Sequence, residues 1–231
     1  MPDTADVPAI RRAHDILRTL AAQPGPVKAA ELMRACNLPR SSLYLLLDSL
    51  ERRRWIERRE GGYIVGIELM ALGAAYLRHD SLQTAFHRVA AEFVARCNEV
   101  VQLAALDGFE VVYLAREDAR RPVRLVSDLG LRLPAHACAL GKAMLAARPP
   151  AEVADIFTNH VMASHTSRTV CSLADLESEL AEARKRGYAT SCGELFDGVH
   201  CVAAPVLNSL GHGNIAVSVG GPAAQMTPRR L

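Results

Sequence analysis

The sequence has no apolar run that could cross a bilayer, since none approaches the roughly 20 residues that a spanning helix needs. Its opening segment, MPDTADVPAI, carries two acidic residues and lacks the basic start and apolar core of a secretory signal. We therefore expect a cytoplasmic protein that makes no contact with a membrane.

The sequence also has no CxxC pair, which removes the most recognisable signal of a zinc or redox site. Its six cysteines lie far apart, at Cys36, Cys97, Cys138, Cys171, Cys192 and Cys201. A chain of 231 residues that is 50% hydrophobic can build a core without disulfides, so we expect reduced thiols. Lys142, in the stretch GKA, lacks the flanking Gly and Ser or Thr of a P-loop.

One set of residues has side chains suited to a metal or to a nucleophile, although its spacing matches no known motif. The set is His136, Cys138, His200 and Cys201. Zinc takes these ligand types, and a cysteine beside a histidine can act as a nucleophile with its base. Successive residues of one strand face opposite ways, and no carboxylate or amide is placed to orient either histidine. We expect no metal, no cofactor and no enzymatic activity, with both cysteines as small apolar fillers.

The net charge of +2 conceals an uneven distribution along the chain. Residues 1–66 hold 11 basic and 8 acidic residues, whereas the remainder holds 16 basic and 17 acidic residues. A basic N-terminal part on a near-neutral body is typical of a nucleic-acid-binding module joined to another domain.

The order of elements in the first 66 residues is helix, helix, turn, helix and hairpin. The first helix is predicted from about Pro8 to Gln23, with its apolar face along Ile10, His14, Leu17 and Leu20. VKAAELMRAC predicts a short second helix, and Pro39 opens the third. Two short strand-like runs around Glu60-Gly61-Gly62 predict a β-hairpin.

The third helix, in LPRSSLYLLLDSLERRR, has more leucines than its apolar face requires. That face is formed by Leu43, Leu46, Leu47 and Leu50, at helical spacing. Leu45 falls on the opposite side, with Ser41, Asp48 and Arg52. An exposed leucine is common on protein surfaces. In a DNA-binding helix, however, an apolar side chain can also contact the methyl group of thymine.

This pattern is typical of a winged helix-turn-helix, in which the third helix enters the major groove. The alternative is a small three-helix domain used for contacts with other proteins. The residues that we expect at DNA are Arg40, Ser41, Ser42, Tyr44 and Leu45 on the third helix, with Lys28, Arg58 and Arg59 at the phosphate backbone.

The rest of the chain predicts a linker helix and an α+β domain. We place the DNA-binding domain at residues 1–66, the linker helix at 67–80 and the second domain at 81–231. Strand-like runs include VVQLAAL, EVVYLAR, VRLVSDL, VHCVAAPVL and NIAVSVGG, which favour a mainly antiparallel sheet. Ser172 at the start of SLADLESELAEARKRG and Gly187 at its end predict a helix that is capped at both ends. Ser81 is the expected cap of a helix that follows the linker.

The chain resembles the IclR family of bacterial transcriptional regulators over nearly its whole length. The motifs that carry the resemblance are LGLRLPAHACALGKAMLA and RGYATSCGELFDGVHCVAAPV…GNIAVSVGGP, together with the helix-turn-helix pattern. The resemblance implies a winged helix-turn-helix joined by a linker helix to a GAF-like antiparallel-sheet domain that binds a small organic effector. It also implies a homodimer or homotetramer on double-stranded DNA with a palindromic operator. The alternative is a winged-helix interaction module with a metal-binding or enzymatic C-terminal domain.

The resemblance also implies where the effector binds and where this chain departs from the family. Positions that match the family's pocket are Leu125, Leu133, Ala139, Leu140, Ser191, Val199 and Cys201. The backbone before GKA can hold a carboxylate on the free amides of a helix start, so a carboxylic or aromatic acid is the expected effector. The family often differs from this chain at three positions. It has Asp in place of Ser191, a smaller residue in place of Leu140, and Arg in place of Leu45. We expect Leu140 to occupy space in the pocket.

Overall fold

A computed structural model describes residues 6–78, 82–120, 128–209, 211 and 213–226 of the chain. The chain divides into two compact units, Met1–Asp80 and Ser81–Leu231. The first unit has one hydrophobic core, and the second has a core on each face of its sheet. In the described part of the chain, no helix combines the length and the apolar character that crossing a membrane requires.

The N-terminal unit has the predicted order of three helices, a hairpin and a further helix. Its elements are α1 (Pro8–Ala21), α2 (Ala29–Ala35), α3 (Arg40–Arg52), β1 (Ile56–Arg59), β2 (Gly62–Val65) and α4 (Ile67–Arg78). β1 and β2 pair in antiparallel register. Val27 adds a bridge to this hairpin, since its backbone exchanges two 2.9 Å hydrogen bonds with that of Tyr63. The start of α2 therefore lies beside the wing.

The predicted apolar face of α1 was wrong at its N-terminal end. Ile16 and Leu20 are buried, but Ile10 is 67% exposed and His14 also lies at the surface. At about 100° per residue, Ile16 and Leu20 centre the buried face, and Ile10 and His14 lie to one side of it. The sequence spacing identified the helix correctly, but the predicted apolar face was rotated about the helix axis away from the buried one.

The leucines of α3 lie as their spacing predicts. Leu43, Leu47 and Leu50 are each at most 3% exposed, and Leu46 is half-buried. Leu45 is 73% exposed on the opposite side. The buried leucines hold α3 against α1 and α2 through the hydrophobic effect, whereas Leu45 contributes almost nothing to that core.

The C-terminal unit is built on a six-stranded sheet in which every neighbouring pair is antiparallel. Its strand order is β5-β4-β3-β8-β7-β6. The strands are β3 (Val100–Asp107), β4 (Glu110–Glu117), β5 (Arg132–Pro134), β6 (Ala189–Cys192), β7 (Val199–Val206) and β8 (Ile215–Pro222). The helices are α5 (Leu82–Cys97), α6 (Ala139–Ala146), α7 (Pro150–Phe157) and α8 (Leu173–Arg186).

Helices cover both faces of this sheet. α5 packs Phe86, Ala90 and Val94 on one face, while α6, α7 and α8 form the larger core on the other. Every residue of α6 is buried. Its Gly141 has no room for a side chain, because a Cβ there would lie 2.2 Å from the carbonyl oxygen of Ala135. The glycine thus lets the start of α6 lie directly against the preceding turn.

Two sequence predictions in this unit have different outcomes. α8 is capped as predicted: the Ser172 hydroxyl accepts from the Asp175 amide at 3.1 Å, and Gly187 ends the helix at a φ of 80°. Most of the strand predicted for VRLVSDL falls outside the described residues. Residues 123–127 lie outside the described part, Asp128 and Leu129 are not in a strand, and β5 begins only at Arg132. Ser81, the predicted cap before α5, also lies outside the described residues.

Candidate DNA-binding surface and ligand cavity

The start of α3 presents most of the predicted DNA-contacting residues to solvent. Arg40, Ser41, Tyr44 and Leu45 are exposed, while Ser42 is half-buried. The guanidinium of Arg40 lies 5.7 Å from the centre of the Tyr44 ring, a cation–π distance that favours one orientation of both side chains. This end of the helix therefore offers a cation, an aromatic ring, hydroxyls and an apolar group together.

The wing brings a second group of basic residues together. Arg58 pairs with Tyr63 across the hairpin, and its guanidinium lies 5.9 Å from the Tyr63 ring. Lys28 is exposed directly after Val27, whose backbone bonds to that of Tyr63, so Lys28 and Arg58 flank the same tyrosine. Arg59 is exposed and forms a 2.5 Å ion pair with Glu57. Two of the three backbone-contacting candidates thus carry no carboxylate partner in the described part.

An acidic residue also lies on the exposed side of α3. Asp48 forms an ion pair with Arg52, one turn further along the helix. Asp48 is three residues after Leu45, so the two share a face. The pairing with Arg52 offsets a negative charge that phosphates would otherwise repel.

The C-terminal unit contains a cavity of about 240 Å³ between the sheet and the start of α6. It gathers residues from β3, β4, β5, β6, β7 and α6, from the turn that precedes α6, and from the segment between β6 and β7. The lining residues are Gln102, Tyr113, Leu133, Ala137, Cys138, Ala139, Ser191, Leu195, Phe196, Val199 and Cys201. None of them carries a formal charge, so the cavity offers shape and hydrogen bonds but no counter-ion.

Three polar side chains reach this cavity. Gln102 is 3% exposed and accepts a 3.1 Å hydrogen bond from the Ser218 hydroxyl at its Oε1, which leaves its amide nitrogen as a donor. The Ser191 hydroxyl donates to the Ala137 carbonyl at 3.3 Å. Burial raises the pKa of Tyr113 well above its ordinary value, so its hydroxyl remains a neutral donor.

The two cysteines of the cavity are protonated. Burial raises the pKa of Cys138 to about 11 and that of Cys201 to about 12. Cys138 caps α6, since its Sγ accepts from the Gly141 amide at 3.4 Å. Because the thiolate is the nucleophilic form, these cysteines are poor candidates for catalysis.

The histidines that raised a metal or catalytic alternative bond to backbone carbonyls instead. His136 Nε2 lies 3.1 Å from the Ala163 oxygen, and His200 Nδ1 lies 3.1 Å from the Met226 oxygen. Burial lowers the pKa of His136, and a neutral ring donates to that carbonyl. Across the described ranges, no three His, Cys, Asp or Glu residues cluster as a metal site would need.

Five of the seven predicted effector positions lie around this one cavity. They are Leu133, Ala139, Ser191, Val199 and Cys201. Leu140 was predicted to occupy space in the pocket, and this is wrong: its side chain is 2% exposed within the core. Because α6 is enclosed on all sides, successive residues face different surroundings, and only Ala139 faces the cavity. Leu125 lies outside the described residues.

Six lining residues were missed by sequence reasoning: Gln102, Tyr113, Ala137, Cys138, Leu195 and Phe196. A glutamine inside the apolar run VVQLAAL was the one available signal, since a buried polar residue needs a reason. Tyr113 gave no such signal, because tyrosine is common in strands.

Two family models match the two units of the chain. The IclR helix-turn-helix domain matches residues 9–60, and the bacterial transcriptional regulator IclR C-terminal domain matches residues 74–231. Together they span both the exposed start of α3 and all the residues that line the cavity.

Similarity to individual proteins covers nearly the whole chain. The HTH-type transcriptional repressor AllR of Klebsiella pneumoniae is 29% identical over 96% of this chain and 83% of its own. The crystal structure of the Thermotoga maritima IclR has a TM-score of 0.71 at 28% identity, covering 96% of this chain and 90% of that chain. The structure of an IclR homologue from Microbacterium hydrocarbonoxydans, complexed with 4-hydroxybenzoate, has a TM-score of 0.74 at 27% identity. The match covers 93% of this chain and 89% of that chain.

The fold, the helix-turn-helix and the cavity-bearing domain agree with these matches. A DNA-binding unit and an effector unit in one chain make a regulator rather than an enzyme. The chain belongs to the IclR family of bacterial transcriptional regulators.

Proposed function

We propose that the protein is a cytoplasmic regulator that binds its operator through α3. Its affinity for the operator falls or rises when a small organic acid occupies the cavity. The observation that carries the proposal is the composition of the cavity wall. Apolar side chains, two thiols and three neutral polar groups line it, together with the start of α6. Such a lining suits a small ring with one or two polar substituents.

A carboxylate can bind in this cavity without a cationic side chain. The first amides of α6 have no helical carbonyl before them to donate to, and they carry the positive end of the helix dipole. The Cys138 thiol caps the amide of Gly141, so those of Ala139 and Leu140 are the ones available to a ligand. Tyr113 and Gln102 supply hydrogen-bond donors from the sheet side. At about 240 Å³ the cavity lies just below the usual range of roughly 300–1,000 Å³ for ligand pockets. A monocyclic acid is therefore favoured, and the complex of the Microbacterium homologue makes 4-hydroxybenzoate a reasonable probe.

The DNA contacts divide into two kinds. Arg40, Ser41, Ser42, Tyr44 and Leu45 would contact base edges and nearby phosphates from the major groove. Lys28, Arg58 and Arg59 would contact the backbone and fix the orientation of the unit. Contacts of the second kind depend strongly on salt and little on sequence.

We further propose that the protein acts as a homodimer or homotetramer on a palindromic operator. α4 supports this proposal, because it exposes several large apolar side chains that a partner helix could bury. They are Ile67, Met70, Leu72 and Tyr76, exposed by 47–71%. Two paired units would place two α3 helices on successive major grooves.

The proposal is tested by titrating acids into the protein and its DNA. We expect a salt-sensitive gel shift with DNA that flanks the gene, and a change in that shift with an acid that also raises the melting temperature. The variant Val199→Trp, which places an indole in the cavity, should keep the gel shift and lose the response to the acid. If no acid in a broad panel stabilises the protein or alters the shift, the effector part of the proposal is wrong.

A further inference from the structure

Lys142 places its ammonium inside the C-terminal unit, 3% exposed, where an uncompensated charge would be very costly. Two carboxylates bind it. The Lys142 Nζ lies 2.8 and 2.7 Å from the two oxygens of Glu194 and 2.7 Å from an oxygen of Glu179. Lys142 belongs to α6, Glu179 to α8, and Glu194 to the segment between β6 and β7.

The two carboxylates differ in their surroundings. The Glu179 side chain is 43% exposed, so solvent screens its share of the interaction. The Glu194 side chain is 10% exposed, and both of its carboxylate oxygens accept hydrogen bonds from Lys142. Burial raises the pKa of Glu194, although the Lys142 ammonium opposes that rise. The strong contact in this cluster is therefore the one between Lys142 and Glu194.

Glu194 is also the first residue of one wall of the cavity. Leu195 and Phe196 follow it and line the cavity, and Phe196 is 42% exposed at the surface. We define residues 194–196 as the outer wall. This wall has no strand partner of its own, since β6 ends at Cys192 and β7 begins at Val199.

The outer wall is held by bonds at Glu194 on two sides. Its carboxylate binds Lys142 and accepts from the Cys192 amide at 3.3 Å. Its backbone oxygen accepts from the Thr169 hydroxyl at 2.6 Å and from the Thr166 hydroxyl at 3.2 Å. The charge-assisted bonds to Lys142 are the strongest of this set.

We infer that Lys142 and Glu194 form a positioning pair, which holds the outer wall over the cavity and so controls how readily a ligand enters and leaves. Neither residue lines the cavity as a ligand contact would. The inference rests on the proposed function for the identity of the ligand that enters the cavity. The position of the outer wall is a property of the protein without ligand. A purely structural role, in which the pair only offsets its own burial, is the competing explanation.

The two explanations differ for a double variant. Replacing a buried ion pair by apolar residues of similar size often leaves stability unchanged. Lys142→Met with Glu194→Met should therefore fold, and it removes the bonds that hold the wall. Glu194→Gln keeps the shape and removes the charge. Glu179→Gln is the matched control, because it weakens the same ammonium's other contact without touching the wall.

The first measurement is amide hydrogen exchange of residues 193–199 in the full chain without ligand. The Gly193 and Val199 amides donate to the oxygens of Val199 and Phe196 and report opening of this segment. We expect exchange there to quicken about tenfold or more in Glu194→Gln and in the double variant, because charge-assisted bonds contribute on that scale. Exchange in β3 should remain as in the wild type, and Glu179→Gln should match the wild type throughout.

The second measurement is access to Cys201, which lines the cavity. The rates of alkylation by N-phenylmaleimide and N-methylmaleimide are compared, because their ratio cancels changes in thiol reactivity. If the outer wall opens, the alkylation rate of the larger N-phenylmaleimide should rise relative to that of N-methylmaleimide. If the double variant folds and shows wild-type exchange and a wild-type ratio, the pair has only a structural role; a wild-type result for Glu194→Gln overturns the inference equally.

Failure of the proposed function is detected separately. 4-Hydroxybenzoate is added to the wild type and its protection of Cys201 is measured. Absence of protection counts against the proposed acid, whereas the wall measurements, made without ligand, still decide the role of Lys142 and Glu194.

Discussion

Ser191 of β6 lies directly opposite Cys201 of β7, and both side chains line the cavity. Directly opposed residues of an antiparallel pair share one face of the sheet. A hydroxyl and a protonated thiol thus form the neutral floor of the site, below the start of α6. Neither group repels an anion.

Placing a carboxylate on this floor should weaken the binding of an acid. We expect Ser191→Asp to weaken binding of 4-hydroxybenzoate at least about tenfold, because like charges in contact cost several kcal/mol. Ser191→Ala removes only a hydroxyl that bonds to Ala137 and should bind the acid nearly as the wild type does. Calorimetric titration measures both. Equal affinities for the Asp and Ala variants would show that the acid group binds elsewhere.

Leu43 and Leu45 provide a matched pair within one helix. Leu43 is 1% exposed and Leu45 is 73% exposed. Leu43→Ala should lower the free energy of unfolding by roughly 2–5 kcal/mol, as buried leucines do. Leu45→Ala should change it by less than about 0.5 kcal/mol, as at most surface sites. Denaturant unfolding of both variants measures the difference.

Leu45, whose replacement should hardly change stability, should matter for DNA affinity. If its side chain contacts thymine methyls, Leu45→Ala should weaken operator binding several-fold and leave binding to scrambled DNA unchanged. Leu45→Arg should strengthen both and steepen the salt dependence, because it adds a phosphate contact. An alanine variant that binds both DNAs as the wild type does would remove Leu45 from the recognition surface.

Lys28 should act at the phosphate backbone. Lys28→Ala is expected to weaken binding to operator and scrambled DNA alike and to reduce the slope of log K against log salt by about one. Lys185→Ala is the control, because Lys185 is an exposed lysine of α8 in the other unit. A loss confined to the operator would assign Lys28 to base recognition instead.

The elements that the sequence predicted best are those whose signals are local. The leucine spacing of α3 and the caps of α8 each depend on neighbours within one or two turns, and both were correct. The cavity is different, because Gln102, Tyr113 and Ser191 meet only after strands far apart in the chain pair. The pairing of β3 with β4 also shifts register between Leu103 and Ala104, and no local pattern encodes that shift.

Two glycines in helices should respond to alanine in opposite ways. Gly141→Ala would place a Cβ 2.2 Å from the Ala135 oxygen, a backbone atom that cannot move freely. We expect marked destabilisation of the C-terminal unit. Gly73→Ala in α4 meets no atom within 4 Å and should stabilise its helix by about 0.5–1 kcal/mol. Thermal unfolding of both variants tests this, and a stable Gly141→Ala protein would contradict the close approach.

His136 should make the C-terminal unit sensitive to mild acid. Burial lowers its pKa in the folded protein, whereas the unfolded chain keeps an ordinary value near 6.5. The unfolded state therefore binds a proton first as the pH falls, so stability is complete above about pH 6.5 and declines below it. His136→Gln cannot be protonated and can still donate to the Ala163 carbonyl. Its melting temperature should fall less than that of the wild type between pH 7 and pH 5, and parallel curves for the two proteins would assign the acid sensitivity to other groups.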